Sequence, residues 1–290
     1  MKIYLIDGTY ELFRAHFGAP PKKSTSGLEV GATLGLMRSL LMLLQSPGVT
    51  HVAVAFDHVI ESFRNKMYSG YKSSEGVDPI ILNQFELAEK AVSALGVVVW
   101  PMVKFEADDA IATATARFKK EKSVEQVIIC SVDKDLTQMV DGKKVICWDR
   151  RREIILDEKG VVEKFGVKPE SIPDYLALVG DSADGYPGIQ GWGAKSTSSV
   201  LAKFKHIESI PKDPNKIPLS LGRATTLLEN LQANYQDALL FRELSTLRED
   251  VPLKENLKDL EWKGATSKFK KVCEELKEER IVERVKKWRK

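Results

Sequence analysis

Nine acidic residues fall where loops meet regular elements: Asp7, Asp57, Glu106, Asp108, Asp109, Asp133, Asp135, Asp181 and Asp184. Asp7, Asp57 and Asp133 each close, or lie within two residues of, an apolar strand-like run (LIDG, VAVAFD, IICSVDKD). If those strands are parallel, their ends share one rim, the edge at which open α/β sheets bind ligands. Glu106, Asp108 and Asp109 open a helix that follows a further strand, Asp135 stands two residues beyond Asp133, and Asp181 and Asp184 (GDSAD) follow a helical stretch. Taken singly, each has a structural explanation: a turn at Asp7-Gly8, a helix start favoured by the dipole at Glu106 to Asp109, an N-cap at Asp133 or Asp135. Gathered on one rim they would repel one another strongly, so a site of this density requires cations. Ligation by oxygen alone selects Mg²⁺ or Mn²⁺. Two such ions about 4 Å apart would stabilise both the attacking and the leaving oxygen of an in-line phosphoryl displacement, which points to phosphodiester hydrolysis.

Other metal chemistries lack residues to support them. The histidines (His16, His51, His58, His206) show no ligand spacing, and the three cysteines (Cys130, Cys147, Cys273) are too far apart for a zinc site and read as buried thiols of a reducing compartment. No apolar run reaches membrane-spanning length and MKIYLIDG shows no targeting leader, so a cytoplasmic protein without membrane partners is expected. Net charge is only +3. With the nine carboxylates neutralised by metal, the remainder would be strongly cationic, which suits a polyanionic substrate.

The elements that must position these acids alternate in the first half. Strands are expected at Ile3 to Asp7, His51 to Asp57, Val97 to Trp100 and Gln126 to Ser131. Helices are expected at Val30 to Gln45, Pro79 to Leu95 and Glu106 to Lys119. This is the pattern of a mostly parallel α/β sheet flanked by helices. From about Phe165 the strands stop, short helical pieces follow, and a long helix is expected over Leu221 to Arg248. The tail from Ser267 to Lys290 has the spacing of an amphipathic helix packed on the body.

At these residues the sequence resembles the 5′ nuclease family that includes flap endonucleases, phage 5′ exonucleases and the N-terminal nuclease domain of DNA polymerase I. The resemblance rests on LIDGTYELFRA, FDHVIESFRNKMYSGYK, FEADDAIATATA, SVDKDLTQMV and FGVKPESIPDYLALVGDSADGYPGIQGWGAKST, in that order, and runs from Ile3 to about Pro252. It implies a PIN-like α/β nuclease domain over 1–165 with a helical gateway near 60–85. A helix-three-turn-helix DNA-binding region and C-terminal helices would cover 166–290. The implied activity is structure-specific 5′-3′ exonuclease and flap endonuclease cleavage of DNA with two or more Mg²⁺ or Mn²⁺ ions, by an isolated nuclease with no polymerase domain following.

Carried over residue by residue, the resemblance implies that Asp7, Asp57, Glu106 and Asp108 organise one ion and Asp133, Asp135, Asp181 and Asp184 the second. Asp109 would support either through water. It assigns Arg14 and Lys72, the latter in the Tyr71-Lys72 pair, to the scissile phosphate, with Arg64 as a further phosphate contact in the gateway. The family commonly places Arg three residues after the gateway Lys; here that position is Glu75, an acid that would weaken catalysis or shift the task to Lys66 or Arg64. Val132 replaces a usual Gly, and Trp192 stands between Gly191 and Gly193.

Gly188, Gly191, Gly193 and Lys195 precede a helical run to Phe204. Glycines allow close backbone approach to a phosphate, the helix start offers free N–H groups and Lys195 adds charge. A Gly-rich turn with no ligand is the plainer account of these residues. The resemblance identifies them as the hairpin that grips duplex DNA and binds K⁺ through backbone carbonyls. Expected partners are DNA with 5′ flaps or duplex 5′ ends, RNA primers as a further substrate, and a polymerase or sliding clamp, the chain itself being a monomer. Two other enzymes share features. A haloacid-dehalogenase-type phosphatase would need an Asp where Leu5 stands, and a PIN-type ribonuclease would lack the hairpin and gateway. A binder of DNA flaps with weak or lost cleavage is the alternative of a different class.

Overall fold

The computed structural model describes residues 1–289. In chain order the elements are β1 (Lys2–Asp7), α1 (Gly8–Gly18), α2 (Gly31–Leu44), β2 (His51–Asp57), α3 (Pro79–Leu82), α4 (Phe85–Ala94), β3 (Val98–Met102), α5 (Ala107–Phe118) and β4 (Gln126–Cys130). They continue with β5 (Val145–Asp149), β6 (Ile154–Leu156), α6 (Glu158–Phe165), α7 (Ile172–Val179), α8 (Ala194–Phe204), α9 (Leu221–Ala233), α10 (Tyr235–Ser245), α11 (Lys268–Glu275) and α12 (Arg280–Glu283). Among the described residues no helix is long and apolar enough to cross a membrane. The chain folds into two compact units, each discontinuous in sequence: 1–60 with 74–132 and 249–290, and 61–73 with 133–248.

In the first unit β3, β2, β1 and β4 pair side by side and in parallel. Parallel strands are covered on both faces, which accounts for near-continuous apolar runs such as Ile3, Leu5 and Ile6, all fully buried. The chain leaves β1 toward β2 and β3 and returns on its other side as β4. The carboxyl end of β1 is therefore a topological switch point. Gly8 begins α1 hard against β2: a Cβ there would lie 2.6 Å from the Phe56 ring and from Val54.

Three helices expected as continuous are broken. The helix expected over Pro79 to Leu95 divides into α3 and α4 because Gln84 turns inward, its Oε1 accepting from Thr33 N at 3.1 Å and Thr33 Oγ1 at 3.2 Å. In the second unit, the helix expected over Leu221 to Arg248 divides at Asn234 (φ −119°), whose side chain bonds the Asn230 carbonyl at 2.8 Å. The tail, in the first unit, forms two short helices separated by Lys277 in the left-handed region (φ 52°), with Phe269, Val272, Cys273 and Ile281 buried. Lys290, the end of the expected tail helix, lies outside the described residues.

The second unit contains the antiparallel hairpin β5–β6, which the sequence pattern had not revealed because its strands are only five and three residues long. Helices α6 to α10 follow. The stretch 61–73 belongs to this unit and is mostly irregular, with one 3₁₀ turn at Phe63–Lys66. The gateway expected near 60–85 is thus less helical than anticipated: among the described residues it holds that turn, the four-residue α3 and the first residue of α4.

Candidate metal centre

Within the first unit the acids are held by the ends of the elements. Asp7 ends β1 and caps α1: its Oδ1 accepts Tyr10 N–H and its Oδ2 accepts the Ser131 hydroxyl, both at 2.8 Å. Ser131 follows β4, so both strands flanking the switch point fix one carboxylate. Asp57 ends β2, its own N–H donating to Thr9 Oγ1 at 2.8 Å while its Oδ1 accepts Ala107 N–H at 2.7 Å. Glu106 is the N-cap of α5, in a reciprocal box with Asp109, whose Oδ2 accepts Glu106 N–H at 3.0 Å. Asp109 is fully buried and Asp108 half-buried. The box gives Asp109 a direct structural task in the first turn of α5.

The second unit holds the tightest carboxylate group. Oxygens of Asp135, Asp181 and Asp184 all lie within 4.8 Å of one another, and all three residues are buried. Asp135 begins a 3₁₀ turn, its N–H donating to Asp133 Oδ1 at 2.8 Å, and Asp133 itself is exposed. Asp181 and Asp184 lie in a tight turn after α7: Asp181 pairs its backbone with Tyr186, and its Oδ1 accepts Ala183 N–H at 2.9 Å. Burial, then the charges of Asp133, Asp184 and Asp181, push the Asp135 carboxyl well above its ordinary range, with Lys72 opposing. Tyr186, stacked on Phe241 at 5.4 Å, has its phenol pushed upward by burial and then by the charges of Asp135, Asp184 and Asp181.

Two lysines enter this triad. Lys72 Nζ is 3.1 Å from Asp184 Oδ1, and Lys72 N–H donates to the Asp184 carbonyl at 2.9 Å. Lys134 Nζ is 2.6 Å from Asp181 Oδ2. Burial lowers the Lys134 ammonium pKa, but the Asp181 bond and the charges of Asp135 and Asp133 outweigh it and hold it above its usual value. Lys134, Tyr186 and Ser131 were not singled out in the sequence; the alternation Asp133-Lys134-Asp135 was the one available signal. The donor set fits a hard divalent cation. It is all oxygen, and Asp135 Oδ1 is buried with no hydrogen-bond partner, an arrangement that a cation satisfies.

The basic residues fare differently. Arg64, anticipated as a phosphate contact, is 1% exposed, its Nε and Nη2 donating to the Leu244 and Thr246 carbonyls at 2.7 and 3.1 Å. These carbonyls belong to the last turn of α10 and its C-cap, so the guanidinium is engaged within the second unit; Glu75 is exposed. Lys66 remains exposed. Arg14, in the first unit, donates to Glu11 and, at 3.1 Å, to Ser39 Oγ, with a quarter of its side chain exposed.

The glycine hairpin leads into α8. Gly188 has φ 72°, and a Cβ there would meet backbone atoms of Gly180 and Val179 at 2.3 and 2.5 Å, so its smallness serves packing. Gly193 caps α8 with open space around it; Gly191 and Lys195 are exposed. Helix α9 clamps the turn: Asn230 donates to the Gln190 carbonyl at 2.9 Å, Arg223 to the Gly191 carbonyl at 2.7 Å, and Trp192 Nε1 to the Leu227 carbonyl at 2.9 Å.

Residues 2–166 match the family described as 5′-3′ exonuclease, N-terminal resolvase-like domain, and residues 167–268 match 5′-3′ exonuclease, C-terminal SAM fold. The chain is 31% identical over 282 residues to a 5′-3′ exonuclease of Aquifex aeolicus, covering 93% of this chain and 96% of that one. It is 35% identical over 260 residues to DNA polymerase I of Rhizobium leguminosarum, covering 87% of this chain but only 25% of the polymerase. Among solved structures, the T5 D15 protein co-crystallised with metal ions aligns with a TM-score of 0.67 at 18% identity, covering 84% of this chain and 89% of D15. The catalytic core of Rad2 in complex with DNA substrate aligns at 0.59 and 14%, covering 95% and 86%. Both share the fold, a mostly parallel sheet flanked by helices with a helical C-terminal part. With the family match covering most of its length and the acids at the strand and helix ends, this chain belongs to the 5′-3′ exonuclease family.

Proposed function

We propose that this chain is a structure-specific 5′ nuclease that hydrolyses DNA phosphodiester bonds at 5′ flaps and duplex 5′ ends with two or more Mg²⁺ or Mn²⁺ ions. The observation that carries this reading is the buried triad of Asp135, Asp181 and Asp184 with its unpartnered Asp135 Oδ1, in a member of the 5′-3′ exonuclease family. Asp133, Asp135, Asp181 and Asp184 would hold one ion, and Asp7, Asp57, Glu106 and Asp108 the other, with Asp109 supporting them. When bound, such ions polarise the phosphate and make water a better nucleophile at neutral pH.

The chain's own residues do the rest. Lys72, already poised on Asp184, offsets charge that develops on the phosphate, and Arg14 supplies a second cation. The N–H groups at the start of α8 precede its first internal bond, Thr197 to Gly193, and with Lys195, Gly191 and Gly193 they form a seat for a duplex phosphate. Phosphate contacts position a substrate without reading its bases, so specificity is for structure. K⁺ at the hairpin would bind backbone carbonyls, of which those of Gln190 and Gly191 already accept from Asn230 and Arg223. Functionally, 1–165 carries most of the chemistry, and 166–290 adds Asp181 and Asp184 to it and grips the duplex. The nuclease acts as a cytoplasmic monomer in replication and repair, RNA-primed 5′ ends are further substrates, and a polymerase or clamp is its partner.

The test is cleavage of a 5′-flap duplex in Mg²⁺ and in Mn²⁺, with EDTA and Asp135→Asn as controls. Metal-dependent cutting near the junction, lost in the variant, supports the reading. Tight flap binding with no cutting in either metal would overturn it in favour of a flap-binding protein.

A further inference from the structure

We propose that Lys134 is a counter-charge built into the acidic triad, one that competes with a divalent cation for Asp181 and so sets how tightly the triad binds metal. This inference rests on the metal-binding reading above. Lys134 stands between Asp133 and Asp135, and its Nζ lies 2.6 Å from Asp181 Oδ2. The other Asp181 oxygen accepts Ala183 N–H at 2.9 Å, so both oxygens of this carboxylate are engaged.

The third acid, Asp184, is paired with Lys72 at 3.1 Å, which leaves Asp135 Oδ1 as the buried oxygen without a hydrogen-bond partner. A divalent ion bridging the triad needs an oxygen of Asp181. An ammonium and a dication on one carboxylate repel each other at a separation where little water screens them. One must yield, and the two partners differ in freedom. Asp181 is 3% exposed and fixed through backbone bonds to Tyr186, whereas the Lys134 side chain is 35% exposed and has a route outward. Metal loading therefore proceeds by exchange at Asp181, with Lys134 swinging toward solvent. Lys134 acts through Asp181 and is a positioning residue. It holds the metal affinity down and keeps the acids together whenever divalent ions are scarce.

The experiment measures Mn²⁺ binding to the full chain by calorimetry and by the loss of the free-Mn²⁺ electron paramagnetic resonance signal. It compares the wild type with Lys134→Met, Lys134→Gln and Lys134→Arg, and uses Asp181→Asn to identify the step that belongs to the triad. Removing the charge is expected to tighten that step about tenfold or more, while Lys134→Arg stays near wild type. In EDTA, Lys134→Met and Lys134→Gln are expected to melt below the wild type and to regain the difference in saturating Mn²⁺. Equal or weaker Mn²⁺ binding by both neutral variants overturns the proposal and leaves the metal reading intact. Absence of any Asp181-dependent Mn²⁺ step in the wild type overturns the metal reading and this proposal with it.

Discussion

Asp57 Oδ1 accepts the backbone N–H of Ala107 at 2.7 Å, so a carboxylate at the end of β2 also secures the first turn of α5. One side chain has two separable tasks. Asp57→Ala is expected to lose about 1 kcal/mol of stability, the usual cost of removing a side-chain acceptor from a helix start, together with nuclease activity. Asp57→Asn keeps an acceptor and should lose activity with little change in stability. Urea denaturation beside a flap-cleavage assay separates the two. Equal destabilisation by both variants would refute the division of roles.

Arg64→Ala is expected to destabilise the protein by about 3–5 kcal/mol, because it strands the Leu244 and Thr246 carbonyls and leaves a cavity. Arg64→Lys should recover only part, since an ammonium cannot reproduce the guanidinium fork. Thermal denaturation is the readout. Wild-type stability with weakened DNA binding would instead restore Arg64 as a phosphate contact.

The glycines of the hairpin should differ sharply from one another. Gly188→Ala meets backbone at 2.3 Å with φ 72° and is expected to cost about 3 kcal/mol or more. Gly193→Ala, with nothing within 4 Å of the added Cβ, should cost less than about 1 kcal/mol. Melting curves of the two variants decide it.

Lys195→Gln is expected to weaken duplex binding equally across sequences and to reduce the slope of log affinity against log salt by about 1. Its side chain is exposed on the first turn of α8, so stability should not change. Titration of labelled duplexes at several salt concentrations tests this, and an unchanged slope would remove Lys195 from the phosphate contacts.

Burial, with Glu278, Glu279 and Glu274 nearby, pushes the Cys273 thiol up to about 12. In the unfolded chain the thiol ionises at its ordinary, lower pKa. Between the two values the native state holds the extra proton, so stability present below the unfolded pKa is lost as pH rises toward 12. The native thiol should resist a disulfide reagent at pH 8 and react once the chain is unfolded. Rapid reaction of native Cys273 would contradict its burial.

Elements with strong local signals were legible along the chain. The apolar runs of β1, β2 and β4 sit within a residue or two of their expected limits, as do α2 and α5, because a buried parallel strand and an amphipathic helix each leave a pattern among near neighbours. Asp7 and Asp57 were legible for the same reason, being the first polar residues after an apolar run. Tertiary structure decided what depends on distant partners. Arg64 carries a charge that composition assigns to the surface, and carbonyls from the C-terminal end of α10, far along the chain, accept from its guanidinium in the buried state. Asn234 interrupts a helical pattern without a Gly or Pro to announce the break. The change of pattern near 165 is local, whereas the compact units take in 61–73 and 249–290 by contacts far apart in sequence. Lys134 and Asp181 lie on different loops, and their ion pair exists only because folding brings the 3₁₀ turn at Asp135 against the turn after α7. Periodicity records the environment of neighbours along the chain; pairing across it is set by packing, and it was there that charged residues found their partners.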